Sequence, residues 1–245
     1  MSLGVSGTIS KPTPVKATTP PGPLASALLV AGKDLLIEVR TREIVTTAGF
    51  FAALVAILAS VAFYSGPDTT KRVAPGALWL AQAFSSVLAI GRTWQRERDD
   101  GAMLALLVSP VPRGSIFLGK AIGIFVFVSI VEAIVVPIVA LLFHVDLLVV
   151  GGYLLPVLVL GTIGVAATGT LFGVMTVRTR ARDLVLATIL FPLLSPSLIC
   201  GVAATREIFS GAPLGDLTDY FLLLGVFDLV AVALGLMLFG ALVED

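Results

Sequence analysis

Two acidic residues and one histidine are the side chains that could do chemistry within the apolar parts of this chain. Glu132 and Asp228 lie inside long apolar runs, and His144 is the only histidine among the 245 residues. Two carboxyl groups could act as a general acid and a general base. However, the sequence contains neither a G-x-G-D nor an H-E-x-x-H motif. An enzyme that uses Glu132 and Asp228 as an acid pair is therefore the interpretation that the sequence favours least.

A glycine-rich segment is the second candidate for chemistry. The sequence GSIFLGKA, from Gly114 to Ala121, matches the G-x-x-x-x-G-K pattern of a phosphate-binding loop. That loop needs a serine or threonine after the lysine to hold magnesium, and it must connect a strand to a helix. Here an alanine follows, and Gly119 and Lys120 lead directly into an apolar run. We therefore expect no nucleotide site and no ATP hydrolysis by this chain alone.

Metal ligation is poorly supported by the residue types. Metal sites in proteins depend largely on His and Cys side chains. A pair of histidine ligands within one chain is excluded because His144 is the only histidine. Since His144 lies at the end of an apolar run, a polar residue at the membrane interface is the favoured interpretation. Cys200, the single cysteine, cannot form an intrachain disulfide. We expect no metal site and no cofactor bound by this chain alone.

The composition identifies the class of protein that must position these residues. The chain is 57% hydrophobic and 13% charged, with a mean hydropathy of +1.05, whereas soluble domains carry about 25% charged residues. A transmembrane helix requires roughly 20 apolar residues. Six runs approach or exceed that length, at residues 44–64, 76–91, 121–143, 153–177, 184–204 and 220–243. The sequence predicts an all-α integral membrane protein with six transmembrane helices, the second continuing into the charged residues that follow it.

The region before the first apolar run divides into two parts. Residues 1–23 are rich in proline and are expected to be a disordered cytoplasmic tail, followed by one six-span domain at residues 24–245. From Leu24 to Glu43, Leu24, Leu28, Leu35 and Val39 recur on one helical face, with charged residues elsewhere. This pattern predicts an amphipathic helix in the membrane interface, with an ordinary surface helix as the alternative.

The lysines and arginines predict the orientation of the spans. Thirteen lie before the first run, between the second and third, and between the fourth and fifth, whereas three lie in the alternate connections. Because cytoplasmic loops carry the excess of positive charge, both termini are predicted to be cytoplasmic. Residues 92–120 would then form a cytoplasmic loop. The net charge of zero gives no support for nucleic-acid binding.

This loop has the features of a contact for another protein. Six of the nine residues from Arg92 to Asp100 are charged. They are followed by the apolar segment MLALLV, Met103–Val108, which stops before Pro110 and Pro112. A short apolar helix held at the membrane surface can dock into a groove of a soluble partner. It can equally pack against the spans of its own chain, and the residues alone leave both interpretations open.

The charged stretch and its continuation resemble the E-R-E-x-G…L-L-x-x-P…G-K signature of ABC-2-type transporter permeases. In those proteins this loop forms the coupling helix, which receives force from a separate ATPase subunit. Asp99 stands where the second glutamate of the signature is usual. The resemblance implies an ATPase-coupling role for the matching residues Arg92, Glu97, Arg98, Asp99, Gly101, Leu106, Leu107 and Pro110.

Three further segments, Gly76–Glu97, Val131–Phe143 and Thr176–Pro196, are similar to the haem exporter B family. These are permeases of the cytochrome c maturation system. The resemblance implies a non-enzymatic permease subunit in the bacterial inner membrane that pairs with a second copy and an ATPase subunit. It also implies a haem-handling membrane subunit, a small single-span subunit, and haem as the substrate, exported or released on a periplasmic chaperone. The alternative is an ABC-2-type permease for another amphipathic substrate, such as a lipid-linked sugar or a drug.

Polar residues and glycines inside the spans complete the candidate site. Acids are costly in lipid and usually face a cavity or a partner. We therefore expect Glu132, near Pro137, and Asp228 to line a path or contact a partner, although a structural hydrogen bond is favoured for Asp228. The fourth run carries four glycines suited to close helix packing, either within the subunit or between two copies. They are Gly161, Gly164, Gly169 and Gly173.

Overall fold

The computed structural model describes residues 22–63, 67–99, 101, 108–109, 111–175 and 182–244. Within these ranges the chain forms seven α-helices, one short 3-10 helix and no strands. The helices are α1 Pro23–Thr41, α2 Glu43–Ala62, α3 Pro67–Asp99, α4 Arg113–Leu142, α5 Leu147–Met175, α6 Arg182–Phe209 and α7 Thr218–Glu244, with the 3-10 helix at Leu214–Leu217.

Helices α2 to α7 are each long and apolar enough to cross a membrane. The prediction of an all-α integral membrane protein with six spans is therefore confirmed. The second span also continues through the charged residues, since α3 ends at Asp99. The predicted tail lies outside the described residues except for its last two positions, and the segment Met103–Val108 does so except for Val108.

The extent of the loop before α4 requires a correction. Residues 92–120 were expected to be a cytoplasmic loop into which the second span continues. Residues 92–99 do belong to α3, but residues 113–120, which were not expected to be helical, belong to α4. Lys120 was expected at the membrane surface, yet its side chain is completely buried. Residues 113–120 were taken as loop because Arg113 and Lys120 interrupt the apolar pattern. In the folded chain Lys120 is paired with charges on other helices.

Helix α1 is present and amphipathic, and it packs against α4. Its exposed face carries large apolar side chains, among them Leu24, Leu28 and Val39. Its buried face contains the acidic residues Asp34 and Glu38. The apolar face is thus free to contact lipid, as an interfacial helix requires, while the acids point into the protein.

Among the six spans, α3 is the most buried and α7 is the least buried. Trp79 of α3 fits between two glycines, Gly161 of α5 and Gly201 of α6. A Cβ atom at either glycine would lie within 2.4 Å of its ring. These glycines therefore permit α3 to pack closely against α5 and α6.

The bundle has two distinguishable ends. We call the end that carries α1, the end of α3 and the start of α4 the charged end, because Lys33, Glu97 and Lys120 meet there. The opposite end, which carries the start of α3 and the end of α6, is called the far end.

Candidate functional site

A cluster of four charges lies at the charged end and joins three helices. Asp34, Glu97 and Lys120 are buried, and the side chain of Lys33 is 35% exposed. Lys120 of α4 donates to Asp34 of α1 at 2.7 Å and also to Glu97 of α3. Lys33 of α1 donates to the same Glu97 oxygen at 2.6 Å and lies 3.3 Å from Asp34. Two ammonium groups thus balance two carboxylates. Since buried charges are stable only when paired, this cluster fixes α1, α3 and α4 relative to one another.

The ionisation of Lys33 follows from the same contacts. Burial lowers the pKa of Lys33, but the carboxylates of Asp34 and Glu97 together raise it by more, so that the pKa lies above its usual value. Lys33 therefore remains charged throughout the physiological pH range.

Gly119 explains how α1 can approach α4 beside this cluster. A Cβ atom at Gly119 would lie 2.6 Å from the carbonyl oxygen of Ala27 and 2.6 Å from the Cβ of Val30. The glycine thus permits the helices to cross, and the neighbouring Lys120 supplies the ion pair with Asp34. The segment is helical from Arg113 onward and is not a strand-to-helix loop. The G-K pair of the phosphate-loop pattern therefore has a structural explanation in helix packing.

A second group of ion pairs continues the cluster toward the surface. Arg96 lies 3.5 Å from Glu38 and 3.4 Å from Glu43, and Arg92 lies 3.4 Å from Glu43. The buried carboxylate of Glu38 also accepts a hydrogen bond from the backbone N–H of Val45 at 2.9 Å. These contacts tie the junction of α1 and α2 to the last turns of α3.

The residues predicted to couple to an ATPase occupy three kinds of position. Glu97 is buried in the charge cluster. Arg98 and Asp99 form an exposed ion pair of 3.3 Å. Gly101 has a φ of 62° and donates its N–H to the Arg98 carbonyl oxygen at 3.1 Å, which is a left-handed turn that favours glycine.

A partner could thus contact Arg98 and Asp99 directly, whereas Glu97 acts on the helices of its own chain. Three other predicted coupling residues, Leu106, Leu107 and Pro110, lie outside the described residues.

Glu132 belongs to a polar group inside the bundle. It lies on α4 and accepts a hydrogen bond from the hydroxyl of Thr162 on α5. Gln82 on α3 donates to the Thr162 oxygen at 3.2 Å, and its own side-chain oxygen has no partner among the described residues. Pro137 lies farther along α4 on the exposed surface. Three helices therefore meet at a buried polar centre.

Asp228 has a different environment from Glu132. It is buried on α7, and neither carboxylate oxygen has a hydrogen-bond partner among the described residues. One oxygen lies 2.6 Å from the position that a Cβ atom would take at Gly164 of α5. The structural hydrogen bond that we favoured for Asp228 is therefore not formed within the described part of the chain. The two acids share no hydrogen bond in this structure.

The other three glycines that were predicted to pack, Gly161, Gly169 and Gly173 of α5, face α3 of the same chain. A Cβ atom at Gly161 would lie 2.4 Å from the ring of Trp79. At Gly169 it would lie 2.3 Å from the side chain of Ile90, and at Gly173 it would lie 2.1 Å from the indole nitrogen of Trp94. The contacts of these glycines are thus made within the subunit.

Sequence reasoning did not single out Lys33, Asp34, Gln82 or Thr162 as site residues, and it gave Lys120 no role in a buried cluster. A lysine flanked by apolar residues was the one available signal for Lys120, because such a lysine requires a counterion. Its partner Asp34 is 86 positions away. The partner is defined only once it is known which helices cross.

Comparison with known proteins gives consistent matches along the chain. The family model described as CcmB protein matches residues 25–244, which include helices α2 to α7 and most of α1. Heme exporter protein B of Paracoccus denitrificans is 30% identical over 191 residues, covering 76% of this chain and 84% of the relative. Heme exporter protein B of Pseudomonas aeruginosa is 27% identical over 189 residues, covering 76% and 83%. That of Bradyrhizobium diazoefficiens is 27% identical over 164 residues, covering 66% and 72%. The chain is a member of the CcmB family.

Proposed function

We propose that this chain is the permease subunit of an ATP-driven ABC transporter that exports haem, or releases the haem-loaded periplasmic chaperone, in cytochrome c biogenesis. The family match over residues 25–244 is the observation that carries this proposal. The relatives described above are named heme exporter protein B, which does not favour a lipid-linked sugar or a drug as the substrate.

In this proposal a separate ATPase subunit hydrolyses ATP and acts on the segment between α3 and α4. The position of that segment supports the assignment. The residues that flank it, Asp99 and Arg113, belong to helices α3 and α4, which the Glu97–Lys120 ion pair joins to each other. Ion pairs with Lys33 and Asp34 join both helices to α1. A force applied to the segment therefore moves three helices together. The exposed Arg98–Asp99 pair offers the partner a first polar contact.

We place the protein in the bacterial inner membrane with both termini in the cytoplasm. The thirteen lysines and arginines on one side of the predicted topology, against three on the other, support this orientation. The charged end would then face the cytoplasm and the ATPase, and the far end would face the periplasm. A second copy of the chain, a haem-handling membrane subunit and a small single-span subunit complete the complex.

Purification from the native membrane in mild detergent tests the proposal. We expect an ATPase subunit to co-purify with the chain. We also expect expression of the chain to restore holocytochrome c in a strain that lacks its own copy. Recovery of the intact chain without any ATPase, together with failure to restore holocytochrome c, would contradict the proposed function.

Leu106→Asp and Leu107→Asp test the contact itself. A charge placed in a desolvated apolar contact costs several kcal/mol. We expect each variant to insert normally but to lose the ATPase during purification. Leu148→Asp is the matched control, since Leu148 is 97% exposed at the far end. Equal ATPase recovery from all three variants would mean that the segment packs only against its own spans.

A further inference from the structure

Two cavities lie along one face of α3. The larger has a volume of about 610 Å³ and lies toward the far end, between α3, α6 and the start of α7. The smaller has a volume of about 370 Å³ and lies toward the charged end, between α2 and α3. Both volumes fall within the range of small-molecule sites, which is about 300–1,000 Å³.

The residues of α3 that line the cavities form a single stripe. Gly76, Trp79, Leu80 and Ala83 line the far-end cavity, and Phe84, Val87, Leu88, Gly91, Arg92 and Gln95 line the other. At 1.5 Å per residue this stripe extends for ~29 Å. The hydrocarbon core of a bilayer is about 30 Å thick. The two cavities together therefore follow α3 across the apolar part of the membrane.

Three aromatic rings lie where the cavities meet. The ring of Phe84 contacts Phe191 of α6 edge-on at a centroid distance of 5.4 Å, and Phe51 of α2 at 6.1 Å. Phe191 lines the far-end cavity, whereas Phe51 and Phe84 line the charged-end cavity. These rings therefore lie between the residues that line the two spaces.

Each cavity has apolar walls and an arginine at its outer limit. Arg92 and Gln95 lie at the charged end of one, and Arg206 lies with Glu207 at the far end of the other. Arg206 is exposed and forms no ion pair with another described side chain. Arg92 is 40% exposed, and it forms an ion pair of 3.4 Å with the exposed carboxylate of Glu43. Both guanidinium groups can therefore receive an anionic group at the membrane surface.

The far-end cavity has a firmly positioned wall. The indole N–H of Trp79 donates to the hydroxyl of Thr205 at 2.8 Å, and its ring lies between Gly161 and Gly201. Among the described residues that line either cavity, only Tyr220 carries a group that ligates haem iron. Recognition by these cavities would depend on apolar packing and on anionic groups, not on a set of metal ligands.

We propose that the α3 groove, defined as these two cavities and the rings of Phe51, Phe84 and Phe191, binds a flat apolar molecule that carries carboxylate groups, of the porphyrin class. Arg92 receives the carboxylates at the charged end, Arg206 receives them at the far end, and Phe84 is the barrier between the two positions. This inference rests on the proposed function, and it assigns the part of the chain that holds the substrate.

Binding is measured with the full-length chain in nanodiscs of neutral lipid, titrated separately with haem and with metal-free protoporphyrin. Empty nanodiscs provide the background. Because the iron is not required, both porphyrins should bind. Arg206→Gln should weaken binding about tenfold, since a charge-assisted contact is lost, and Arg206→Lys should retain most of it. Arg72→Gln, an exposed arginine near the start of α3 that lines neither cavity, should have no effect.

Three results of this titration would overturn the proposal. The first is equal affinity in Arg206→Gln and Arg72→Gln. The second is binding of haem but not of the metal-free porphyrin, which would mean that an iron ligand governs recognition. The third is that neither porphyrin binds. If two copies of a Leu80→Cys variant can then be cross-linked to each other, a second copy of this chain fills the groove.

The barrier is tested in the assembled complex with Phe84→Ala and its control Phe50→Ala. Phe50 is 73% exposed on α2 and lines neither cavity. We expect Phe84→Ala to retain ATPase co-purification and ATP hydrolysis, while holocytochrome c yield per ATP hydrolysed falls several-fold. Phe50→Ala should match the wild type. Equal holocytochrome c yields from both variants would show that Phe84 is not a barrier to the substrate. A normal yield from the wild-type complex in the same experiment would still support the proposed function.

Discussion

At the scale of single residues, Glu132 is the acid whose surroundings best support a role in transport. Its hydrogen-bond donor is the hydroxyl of Thr162, and it forms no ion pair with any described cation. Gln82 completes the group from a third helix. A carboxyl group placed among uncharged partners can change its ionisation when the surrounding helices move. A glutamine at the same position keeps the acceptor oxygen but cannot ionise.

We therefore predict different effects for two substitutions of Glu132. Glu132→Gln should leave the complex assembled at its normal membrane level but lower the yield of holocytochrome c per complex. Glu132→Leu should lower the amount of folded protein, because the buried hydroxyl of Thr162 loses its acceptor at a cost of about 1–3 kcal/mol. Yield normalised to assembled complex separates the two effects. A Glu132→Gln variant with full yield would show that this residue is only structural.

At the scale of helices, the sequence predicts the elements better than their contacts. The length and apolarity of each run are enough to predict α2 to α7, because an apolar segment of that length has few other stable states. The start of α4 and the burial of Lys120 could not be predicted in this way. They depend on a pairing with Asp34 on a helix distant in the sequence. The cavities beside Phe84 were missed for the same reason, since their walls come from separate helices.

The crossing of α1 and α4 leads to a prediction about Gly119. Gly119→Ala places a methyl group 2.6 Å from the Ala27 carbonyl oxygen, so α1 must shift and the Lys120–Asp34 ion pair must lengthen. We expect a lower midpoint of thermal unfolding in detergent. Gly91→Ala is the control, because a Cβ atom there meets no other atom within 4 Å. That control should be stabilised by up to about 1 kcal/mol, as expected for alanine within a helix. Equal effects of the two substitutions would mean that α1 does not pack tightly on α4.

A disulfide can replace the ion pair between the same helices. A Cβ atom at Gly123 would lie 3.7 Å from the Cβ of Asp34, which is within the usual range for a disulfide. Asp34→Cys alone should destabilise the protein by about 3–5 kcal/mol, because Lys120 loses a buried partner. The double variant Asp34→Cys, Gly123→Cys should regain much of that loss when oxidised and lose it again when reduced. Gly123→Cys alone is the control, and the midpoint of thermal unfolding is the measurement. A double variant that responds to neither oxidation nor reduction would contradict this packing of α1.

At the scale of the whole molecule, the two ends of the bundle differ in their charges and in their connections. The charged end contains the four-charge cluster of Lys33, Asp34, Glu97 and Lys120 and the exposed Arg98–Asp99 pair. The far end carries the larger cavity, with Arg206 at its limit. In the orientation that we propose, the ATPase acts on the charged end and the substrate leaves at the far end. This division of roles depends on which end faces the cytoplasm.

We predict that the far end is accessible from outside the cell and that the charged end is not. In a Cys200→Ser background, cysteines at Leu148 and Ser210 should react with a membrane-impermeant maleimide added to cells whose outer membrane has been permeabilised. Both residues are exposed at the far end. A cysteine at Thr41, exposed at the charged end, should react only after the inner membrane is disrupted, because the excess of lysine and arginine places that end in the cytoplasm. Labelling of Thr41→Cys in cells with an intact inner membrane would reverse the orientation, and the proposed direction of transport along α3 would be reversed with it.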